Sequence, residues 1–237
     1  FQPIYNPQND KLSGAEALIR WNCSKYGFME PDKFIPLLEE SALIIPLGRW
    51  IIDTAAKACN RWITNIPDFV MHINLSFVQI VKSNIIKDVL ERIGRYSAAN
   101  NHYVFEITET IEMDRIPAVE RVFKEFIKND FRLAIDDFGT GYSNYGYMRD
   151  KIFDIVKVDR SFITDIDKQR NNYLMVSFII KMAHEMGLHV CIEGVETKEE
   201  LACVRELGAD YIQGYYYGKP VCVADFEEQH LKKLILG

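Results

Sequence analysis

The sequence YVFEITETIEMDRIPAVERVFKEFIKNDFRLAIDD (Tyr103–Asp137) contains two short apolar runs with an amphipathic pattern between them. The runs Tyr103–Thr108 and Arg132–Asp136 are rich in aliphatic and aromatic residues, which is typical of buried strands. The apolar positions between the runs share one helix face: Val119, Val122, Phe123 and Phe126. A strand, a helix and a second strand in this order predict a parallel strand pair joined by a helical crossover.

The same alternation extends to both sides of this unit. Further strand-like runs are Val70–Leu75, Ile155–Asp159, His189–Ile192 and Tyr211–Gln213. Helical patterns fill the gaps, and one helix face is predicted to contain Trp50, Ile51, Ala55, Ala58, Cys59, Trp62 and Ile63. A second apolar face comprises Ile86, Val89, Leu90, Ile93 and Tyr96. Pro31 suits the first turn of another helix, which runs through Phe34 and Leu38.

The start of the chain breaks this alternation. Two strand-like runs, Phe1–Tyr5 and Ala15–Trp21, are separated only by the turn-rich stretch Asn6–Gly14, which is too short for a crossover helix. These runs therefore predict an antiparallel hairpin. There are about eight strands, with helices between the last seven, and no glycine-rich dinucleotide motif. The chain is therefore predicted to form a closed α/β barrel in which only the first strand is antiparallel.

Composition limits the classes of function. The 237 residues carry a formal net charge of −6, whereas a protein that binds DNA or RNA polymers is usually basic. The five cysteines include no C-x-x-C pair, which argues against a disulfide framework or a zinc site and favours a reducing, cytoplasmic compartment. No signal peptide and no apolar run of about 20 residues is visible. Because Phe1 lies in a predicted strand, we expect residues 1–237 to be a single domain excised from a longer protein, whose other segments can carry a membrane anchor.

Polar side chains lie at or just beyond the ends of the predicted strands. The C-terminal ends of barrel strands form one mouth, so these side chains are expected to converge there. They are Asn74, Glu106, Thr108, Glu109, Asp136, Asp137, Lys157, Asp159, Glu193, Glu196 and Gln213, and Glu16 lies inside the second run. Taken singly, each also has a structural interpretation as a helix cap, a surface acid or an ion-pair partner. Convergence of the acidic residues favours a functional site.

A cluster of carboxylates requires compensating charge. Two carboxylates about 4 Å apart repel by roughly 4 kcal/mol at an effective dielectric of about 20. One lysine compensates too little for Glu16, Glu106, Asp136, Asp159 and Glu193. Hard oxygen ligands without a histidine or cysteine set favour Mg²⁺ or Mn²⁺ over zinc. The five histidines lack metal-ligand spacing, so most are expected to be structural or exposed.

The segment DDFGTGYSN (Asp136–Asn144) forms a second signal. Gly139 and Gly141 allow tight backbone with positive φ beside the acidic pair. An ordinary flexible loop is the alternative interpretation. The position directly after two aspartates favours a loop that reshapes a metal site.

Together, these residues resemble the EAL domain family of cyclic-di-GMP-specific phosphodiesterases. EALIRW (Glu16–Trp21) resembles the signature that names the family. The other motifs follow in family order: NLS at Asn74, EITE at Glu106–Glu109, DDFGTGYS at Asp136–Ser143, KVD at Lys157–Asp159, EGVET at Glu193–Thr197 and QGYYYGKP at Gln213–Pro220. The resemblance covers essentially the whole chain and implies a modified TIM (β/α)8 barrel with the first strand antiparallel.

The resemblance implies three groups of site residues. The metal ligands are Glu16, Asn74, Glu106 and Asp136 for one ion, with Asp137, Asp159 and neighbouring acids for a second. The catalytic residues are Glu193 as general base, Lys157 as the residue that helps position the attacking water, and Glu109 as the anchor of the glycine-rich loop. The substrate-binding positions are Arg20, which contacts a phosphate, together with Gln213 and Glu196.

The implied activity is hydrolysis of cyclic di-GMP to linear 5′-pGpG, with two Mg²⁺ or Mn²⁺ ions activating water. A non-catalytic cyclic-di-GMP receptor is the alternative, because some members of the family keep the fold but lose ligands or the loop. An unrelated barrel hydrolase acting on other phosphodiesters is a third interpretation. The chain retains every acid, Lys157 and the loop, which favours hydrolysis.

Some positions depart from the common family pattern. They are Val190–Ile192, where a small residue usually precedes the glutamate, Asn144 after GYS, and GYYYG at Gly214–Gly218. None of these changes removes a ligand. The family often dimerises near the glycine-rich loop, here around Asn144–Lys151, where Tyr142, Tyr145, Tyr147 and Met148 suit either such an interface or intramolecular packing. Sensory or GGDEF domains are expected to be fused to this domain in the full-length protein.

Overall fold

A closed eight-stranded barrel forms the centre of the computed structural model, which describes residues 1–108, 116–141 and 149–232. The strands, in chain order, are Gln2–Asn6 (β1), Lys11–Ala17 (β2), Trp21–Cys23 (β3), Gly27–Met29 (β4), Val70–Asn74 (β5), Tyr103–Thr108 (β6), Arg132–Phe138 (β7), Ile155–Val158 (β8), His189–Glu193 (β9) and Tyr211–Gln213 (β10). Around the barrel the order is β1-β10-β9-β8-β7-β6-β5-β2, and β3 and β4 form a separate small sheet. The predicted closed barrel is confirmed.

The first strand runs against both of its neighbours. β1 pairs antiparallel with β2, where Gln2 lies opposite Glu16, and antiparallel with β10, where Ile4 lies opposite Gln213. The other neighbouring strands of the barrel are parallel. The turn-rich stretch after β1 is too short for a crossover helix, so the chain returns directly as β2. The predicted antiparallel first strand is therefore confirmed.

Helices cover the outside of the barrel. They are Pro31–Glu40 (α1), Ile44–Trp62 (α2), Phe77–Lys82 (α3), Ile85–Ile93 (α4), Pro117–Lys128 (α5), Arg170–Glu185 (α6), Lys198–Glu206 (α7) and Val223–Phe226 (α8). Proline occupies the first turn of α1 and of α5. Capping boxes begin α3, with Ser76 and Gln79, and α7, with Thr197 and Glu200. The helix expected between β7 and β8 would include residues 142–148, which lie outside the described residues.

Two apolar clusters hold the barrel together. The larger one lies between the outer barrel face and the helices, and Phe105, Phe123 and Phe126 are fully buried in it. The smaller one fills the barrel interior with Ile4, Val104, Ala134, Ile155 and Cys191. An interior filled by side chains is a packed core rather than a pore, so a ligand site must lie at one end. Among the described helices, none combines the length and the apolar character that a membrane crossing requires.

Two local predictions were wrong. The second strand ends at Ala17, where its pairing with Ile73 stops, and Trp21 begins the small β3–β4 hairpin, which turns at Gly27 with φ of 72°. One member of the predicted apolar face of α2 is also wrong, because Trp50 is 59% exposed, whereas Ala55 and Trp62 of the same face are buried. In both cases the outcome depends on which residues of other elements lie nearby in space, and the local pattern of apolar residues does not contain this information.

Candidate active site

The C-terminal ends of the barrel strands surround one open cavity of about 900 Å³. This volume is typical of a small-molecule site. The predicted site residues that line the cavity are Glu16, Arg20, Asn74, Glu106, Asp136, Asp137, Asp159, Glu193, Glu196 and Gln213. Lys157 is fully buried and contacts four of these carboxylates. Glu109 lies outside the described residues, so its predicted role stays a prediction.

Lys157 is the central cation of the site. Its Nζ lies 2.7 Å from Glu193 Oε1 and 2.8 Å from Glu106 Oε2. The same atom lies 3.1 Å from Asp136 Oδ1 and 3.4 Å from Glu16 Oε2. One ammonium group therefore faces four carboxylates, and the cluster is net negative when they are all ionised. The simple ion pair between Lys157 and Asp159 does not describe this lysine, whose partners come from four other strands.

Neutral donors hold the two most deeply buried carboxylates. Asn74 Nδ2 donates to Glu16 Oε1 at 2.5 Å, and Gln213 Nε2 donates to Glu16 Oε2 at 2.6 Å. His72 Nδ1 lies 2.7 Å from Glu106 Oε1. Glu16 is 4% exposed and Glu106 is 1% exposed, so these contacts replace hydration that the barrel excludes.

A bulge in β7 brings two successive aspartates to the cavity. Successive side chains on a regular strand point to opposite faces. Here the pairing of β7 with β8 shifts register between Ile135 and Phe138, and Asp137 has a φ of 54°, in the left-handed region. Bulges beside active sites commonly redirect a side chain in this way. Asp136 and Asp137 therefore both line the cavity although they are neighbours in sequence.

Burial and mutual repulsion change the acidity of these carboxyl groups. Burial raises the pKa of Glu193 to about 8, and burial with repulsion from Asp136 and Asp159 raises that of Asp137 to about 6. The pKa of Glu106 is raised well above its usual value by burial and by the charge of Glu16. Without additional positive charge, the cluster therefore binds protons near neutral pH.

Glu16 behaves differently from Glu106, Asp137 and Glu193. Burial alone would raise its pKa, but the Lys157 ammonium and the donors Gln213 and Asn74 lower that pKa to about 2. The lowered pKa keeps Glu16 ionised, whereas the raised pKa values of Glu106, Asp137 and Glu193 favour protonation of those groups. The same site combines an acid of low pKa with acids of high pKa, an arrangement characteristic of functional sites.

The donor atoms fit a divalent metal ion of hard character. Carboxylate oxygens of Asp136, Asp137 and Glu193 lie within 4.8 Å of one another. Among the described residues, no hydrogen-bond donor reaches the buried Gln213 Oε1, which leaves an amide oxygen available to a ligand or its water. A cation would take the place of the protons that the raised pKa values imply.

The remaining predicted residues lie at the edge of the cavity. Asp159 Oδ1 accepts from Ser161 N at 2.9 Å, so the helix-cap interpretation applies to it as well. Arg20 is exposed, and its Nη1 donates to the backbone oxygen of Ile19. Glu196 is also exposed, directly before the Thr197 cap of α7.

Glycine at position 194 fixes the chain direction after Glu193. Gly194 has a φ of 75°, and a Cβ there would lie 2.3 Å from Arg160 Cβ. A larger residue would therefore displace the end of β9 from the adjacent 3₁₀ turn at Arg160–Phe162. This contact helps keep the Glu193 carboxylate beside Lys157.

The sequence did not identify two residues beside the acidic cluster, of which His72 contacts Glu106 and Gln2 contacts Gln213. His72 lies two residues before Asn74 on β5, so strand alternation places both on the inner face. Gln2 lies opposite Glu16, and its Oε1 accepts from Gln213 Nε2 at 3.1 Å. The alternation was available from the sequence, but the contact of His72 with Glu106 depends on the barrel register.

Comparison with known proteins identifies several relatives. Probable cyclic di-GMP phosphodiesterase PdeG of Escherichia coli (strain K12) is 31% identical, over 100% of this chain and 46% of that protein. Cyclic di-GMP phosphodiesterase PdeL of the same organism is 31% identical, over 93% of this chain and 61% of that protein. Uncharacterized protein sll1895 of Synechocystis sp. is 34% identical, over 100% of this chain and 35% of that protein. The chain therefore spans less than two thirds of the length of each of these relatives.

Solved structures of similar fold include further proteins related to this chain. The PaMucR phosphodiesterase in its c-di-GMP complex has a TM-score of 0.89 and 29% identity, over 95% of this chain and 92% of that chain. The EAL enzyme Bd1971, in its cAMP- and cyclic-di-GMP-bound form, has a TM-score of 0.90 and 33% identity, over 96% of this chain and 62% of that chain. The family model of the EAL domain matches residues 1–220. The chain therefore belongs to the EAL domain family.

Proposed function

We propose that this chain hydrolyses cyclic di-GMP to linear 5′-pGpG in a reaction that depends on divalent cations. The observation that carries the proposal is the group of oxygens from Asp136, Asp137 and Glu193 beside the buried Lys157, at the floor of one open cavity. Membership of the EAL domain family supports the substrate, as do relatives named cyclic di-GMP phosphodiesterases.

The acidic residues would hold the cations. Asp136 and Asp137 form part of the oxygen group, and Glu16, Asn74, Glu106 and Asp159 line the same cavity as further candidate ligands. A bound divalent cation supplies positive charge that lowers the pKa of water and neutralises phosphate oxygens. We propose that two Mg²⁺ or Mn²⁺ ions are needed.

The residues around the cations would carry out the proton transfer and orient the substrate. Glu193 has a raised pKa of about 8 in the metal-free site, and as a carboxylate it accepts the proton of the attacking water. The water oxygen bonds to phosphorus, the bond to one ribose 3′-oxygen breaks, and that oxygen takes up a proton. Lys157 holds the carboxylates in place, and Arg20 lies at the cavity edge where its guanidinium can bind a phosphate.

Other predictions concern the whole protein. We propose that it is cytoplasmic, carries fused sensory or GGDEF domains, and forms a homodimer around residues 144–151. Most of that interface lies at residues 142–148, outside the described residues. The role of Glu109 as anchor of the glycine-rich loop, and those of Glu196 and Gln213 in substrate binding, also stay predictions.

Product analysis tests the proposed activity. The purified chain is expected to release pGpG from cyclic di-GMP in the presence of Mn²⁺, and chromatography detects this product. EDTA is expected to stop the reaction. Glu193→Gln should lower kcat by about 100-fold or more, because loss of a general base typically costs that much. The matched control, Glu199→Gln, changes an exposed glutamate at the start of α7 and should leave kcat unchanged.

Three results would contradict the proposal or the role that it gives to Glu193. Saturable binding of intact cyclic di-GMP without any product would favour a non-catalytic receptor. Comparable turnover of generic phosphodiesters and cyclic di-GMP would favour a hydrolase of a different specificity. Equal loss of activity in Glu193→Gln and Glu199→Gln would contradict the assignment of Glu193.

A further inference from the structure

His72 is buried inside the barrel, one level beneath the acidic cluster. Its side chain is 4% exposed, and β5 places it in register with Glu16 on one side and Val104 on the other. Asn74, two residues further along the strand, reaches the cavity. A buried histidine among apolar barrel residues such as Val104 requires a hydrogen-bond partner, because an unpaired polar group there costs free energy.

The partner of His72 is a predicted metal ligand. His72 Nδ1 lies 2.7 Å from Glu106 Oε1, while Lys157 Nζ donates to the other oxygen, Oε2, at 2.8 Å. Glu106 is 1% exposed, so water does not replace either donor. Among the described residues, His72 is thus the one side chain besides Lys157 that fixes the orientation of this carboxylate.

The chemistry of the pair determines which nitrogen carries the proton. An ionised carboxylate can only accept hydrogen bonds. When Glu106 is ionised, as a metal ligand must be, the proton of His72 lies on Nδ1 and is donated to Oε1. A carboxylate has about four lone-pair positions, so two donors leave others for a cation.

We propose that His72 is a positioning residue for the cation site, which holds Glu106 in its ligating orientation through the Nδ1–H···Oε1 hydrogen bond. The inference rests on the proposed function for the use of the site, but not for the contact itself. Hydrogen-bond partners behind metal ligands fix the geometry of those ligands. Their removal typically lowers metal affinity or activity by about 10- to 100-fold.

Three variants separate positioning from a general effect on folding. His72→Leu removes the donor while keeping a side chain of similar volume. His72→Asn keeps an N–H donor at the position of Nδ1, because Asn Nδ2 is the same number of bonds from the backbone. Val104→Ala is the matched control, since it alters the neighbouring buried position of the interior cluster without removing a hydrogen-bond donor to Glu106.

Mn²⁺ affinity is measured first, by calorimetric titration without substrate, with thermal denaturation of each metal-free variant alongside. We expect His72→Leu to raise the Kd for Mn²⁺ by about 10-fold or more and His72→Asn to recover most of the loss. Val104→Ala should lower the melting temperature but leave Kd unchanged. In turnover assays at saturating cyclic di-GMP, His72→Leu should require more Mn²⁺ for half-maximal rate, and added Mn²⁺ should restore much of its kcat.

The outcomes distinguish this inference from the proposed function. Wild-type Kd for Mn²⁺ in His72→Leu would overturn the inference, as would equal losses in His72→Leu and Val104→Ala, or failure of the wild type to bind Mn²⁺. If the wild type binds Mn²⁺ but releases no pGpG, the proposed function fails while the His72 titrations still decide the inference. If His72→Leu does not fold, His72→Val takes its place. A raised Kd for Mn²⁺ in His72→Val together with a wild-type Kd in His72→Asn would then support the inference. A wild-type Kd in His72→Val together with a raised Kd in His72→Asn would overturn it.

Discussion

At the level of single residues, Lys157 contacts more carboxylates than any other cationic side chain in the described part of the chain. Its ammonium group is fully buried and contacts Glu16, Glu106, Asp136 and Glu193. Removing one partner of a buried charge cluster leaves the others uncompensated, at a typical cost of about 3–5 kcal/mol. We expect Lys157→Met to lower the free energy of unfolding by about 3 kcal/mol in EDTA, measured by urea denaturation with circular dichroism.

A surface lysine provides the comparison for this measurement. Lys168 pairs with Asp165 across three residues and is 71% exposed, so its ion pair is screened by solvent. Lys168→Met should therefore change stability far less than Lys157→Met. Similar effects of the two substitutions would mean that Lys157 is not the charge that balances the acidic cluster.

Individual site residues were predictable to different degrees. Glu106, Asp136 and Glu193 were identified because each lies at the end of an apolar run, and such ends meet at one mouth. Glu16 lies inside the predicted run Ala15–Trp21, and its role as a ligand came from the resemblance to the EAL domain family. Lys157 was identified as a site residue, but its four carboxylate contacts were not, since they depend on how far each strand extends into the barrel. His72 was interpreted only as one of several histidines without metal-ligand spacing.

At the level of secondary-structure elements, Asp210 joins three of them at the end of the barrel opposite the cavity. Its Oδ2 accepts from Val190 N of β9 at 2.7 Å and lies 2.9 Å from His184 Nε2 of α6. His189 Nδ1 lies 3.5 Å from Oδ1. Burial alone would raise the pKa of Asp210, but donation by His189, His184 and Val190 lowers it to about 2. The hydrogen bond to Asp210 raises the pKa of His189.

These shifts make the contribution of Asp210 dependent on pH. A lowered carboxyl pKa stabilises the fold above the unfolded pKa of about 4, and this contribution is lost as pH falls through about 2. A raised histidine pKa stabilises the fold below about 6.5, and this contribution is lost as pH rises through the folded value. We expect Asp210→Asn to lower the free energy of unfolding by about 1 kcal/mol between about pH 4 and 6.5, discounted for partial exposure.

Urea denaturation of the wild type and Asp210→Asn at several pH values provides the measurement. The difference between the two should be largest near pH 5, smaller at pH 8 and smallest near pH 2.5. A difference that is constant across this range would show that the histidine and carboxyl charges do not contribute. Asp210 directly precedes β10, at the end of the barrel opposite the cavity, so the substitution should leave turnover unchanged.

Element boundaries were less predictable than element types. The run Ala15–Trp21 was predicted as one strand, but β2 stops at Ala17 because its partner β5 supplies no further pairing. Trp21 instead packs edge-to-face on Phe34, with ring centroids 5.5 Å apart. Likewise, α2 buries Ile52, whereas Trp50, which the pattern placed at the start of the apolar face, is exposed. Such choices depend on tertiary contacts that a linear pattern does not contain.

At the level of the whole molecule, the barrel closes through its first strand. The hairpin β1–β2 begins the barrel, and β1 then pairs with β10, the last barrel strand in the chain. The alternation of strands and helices predicted the parallel sheet, and the short turn after β1 predicted its antiparallel exception. The β7 bulge at Asp136 and Asp137 was not predictable, because the pattern of apolar residues carries no signal for a shift of register.

Closure also makes the acidic mouth a property of the folded chain alone, because its carboxylates come from strands that are far apart in sequence. A ligand that binds only the folded state stabilises it, by about 2.7 kcal/mol at 100 times its Kd. For a domain of this size, 1 kcal/mol corresponds to a shift of about 2–4 °C in melting temperature. Saturating Mn²⁺ should therefore raise the melting temperature of the metal-free protein by about 5–10 °C in differential scanning fluorimetry.

Two variants test whether this increase comes from the acidic mouth. Asp136→Asn, which removes a carboxylate from the oxygen group, should reduce the increase. Asp210→Asn should lower the melting temperature of the metal-free protein but keep the increase. An equal increase in all three proteins would place the cation outside the acidic mouth.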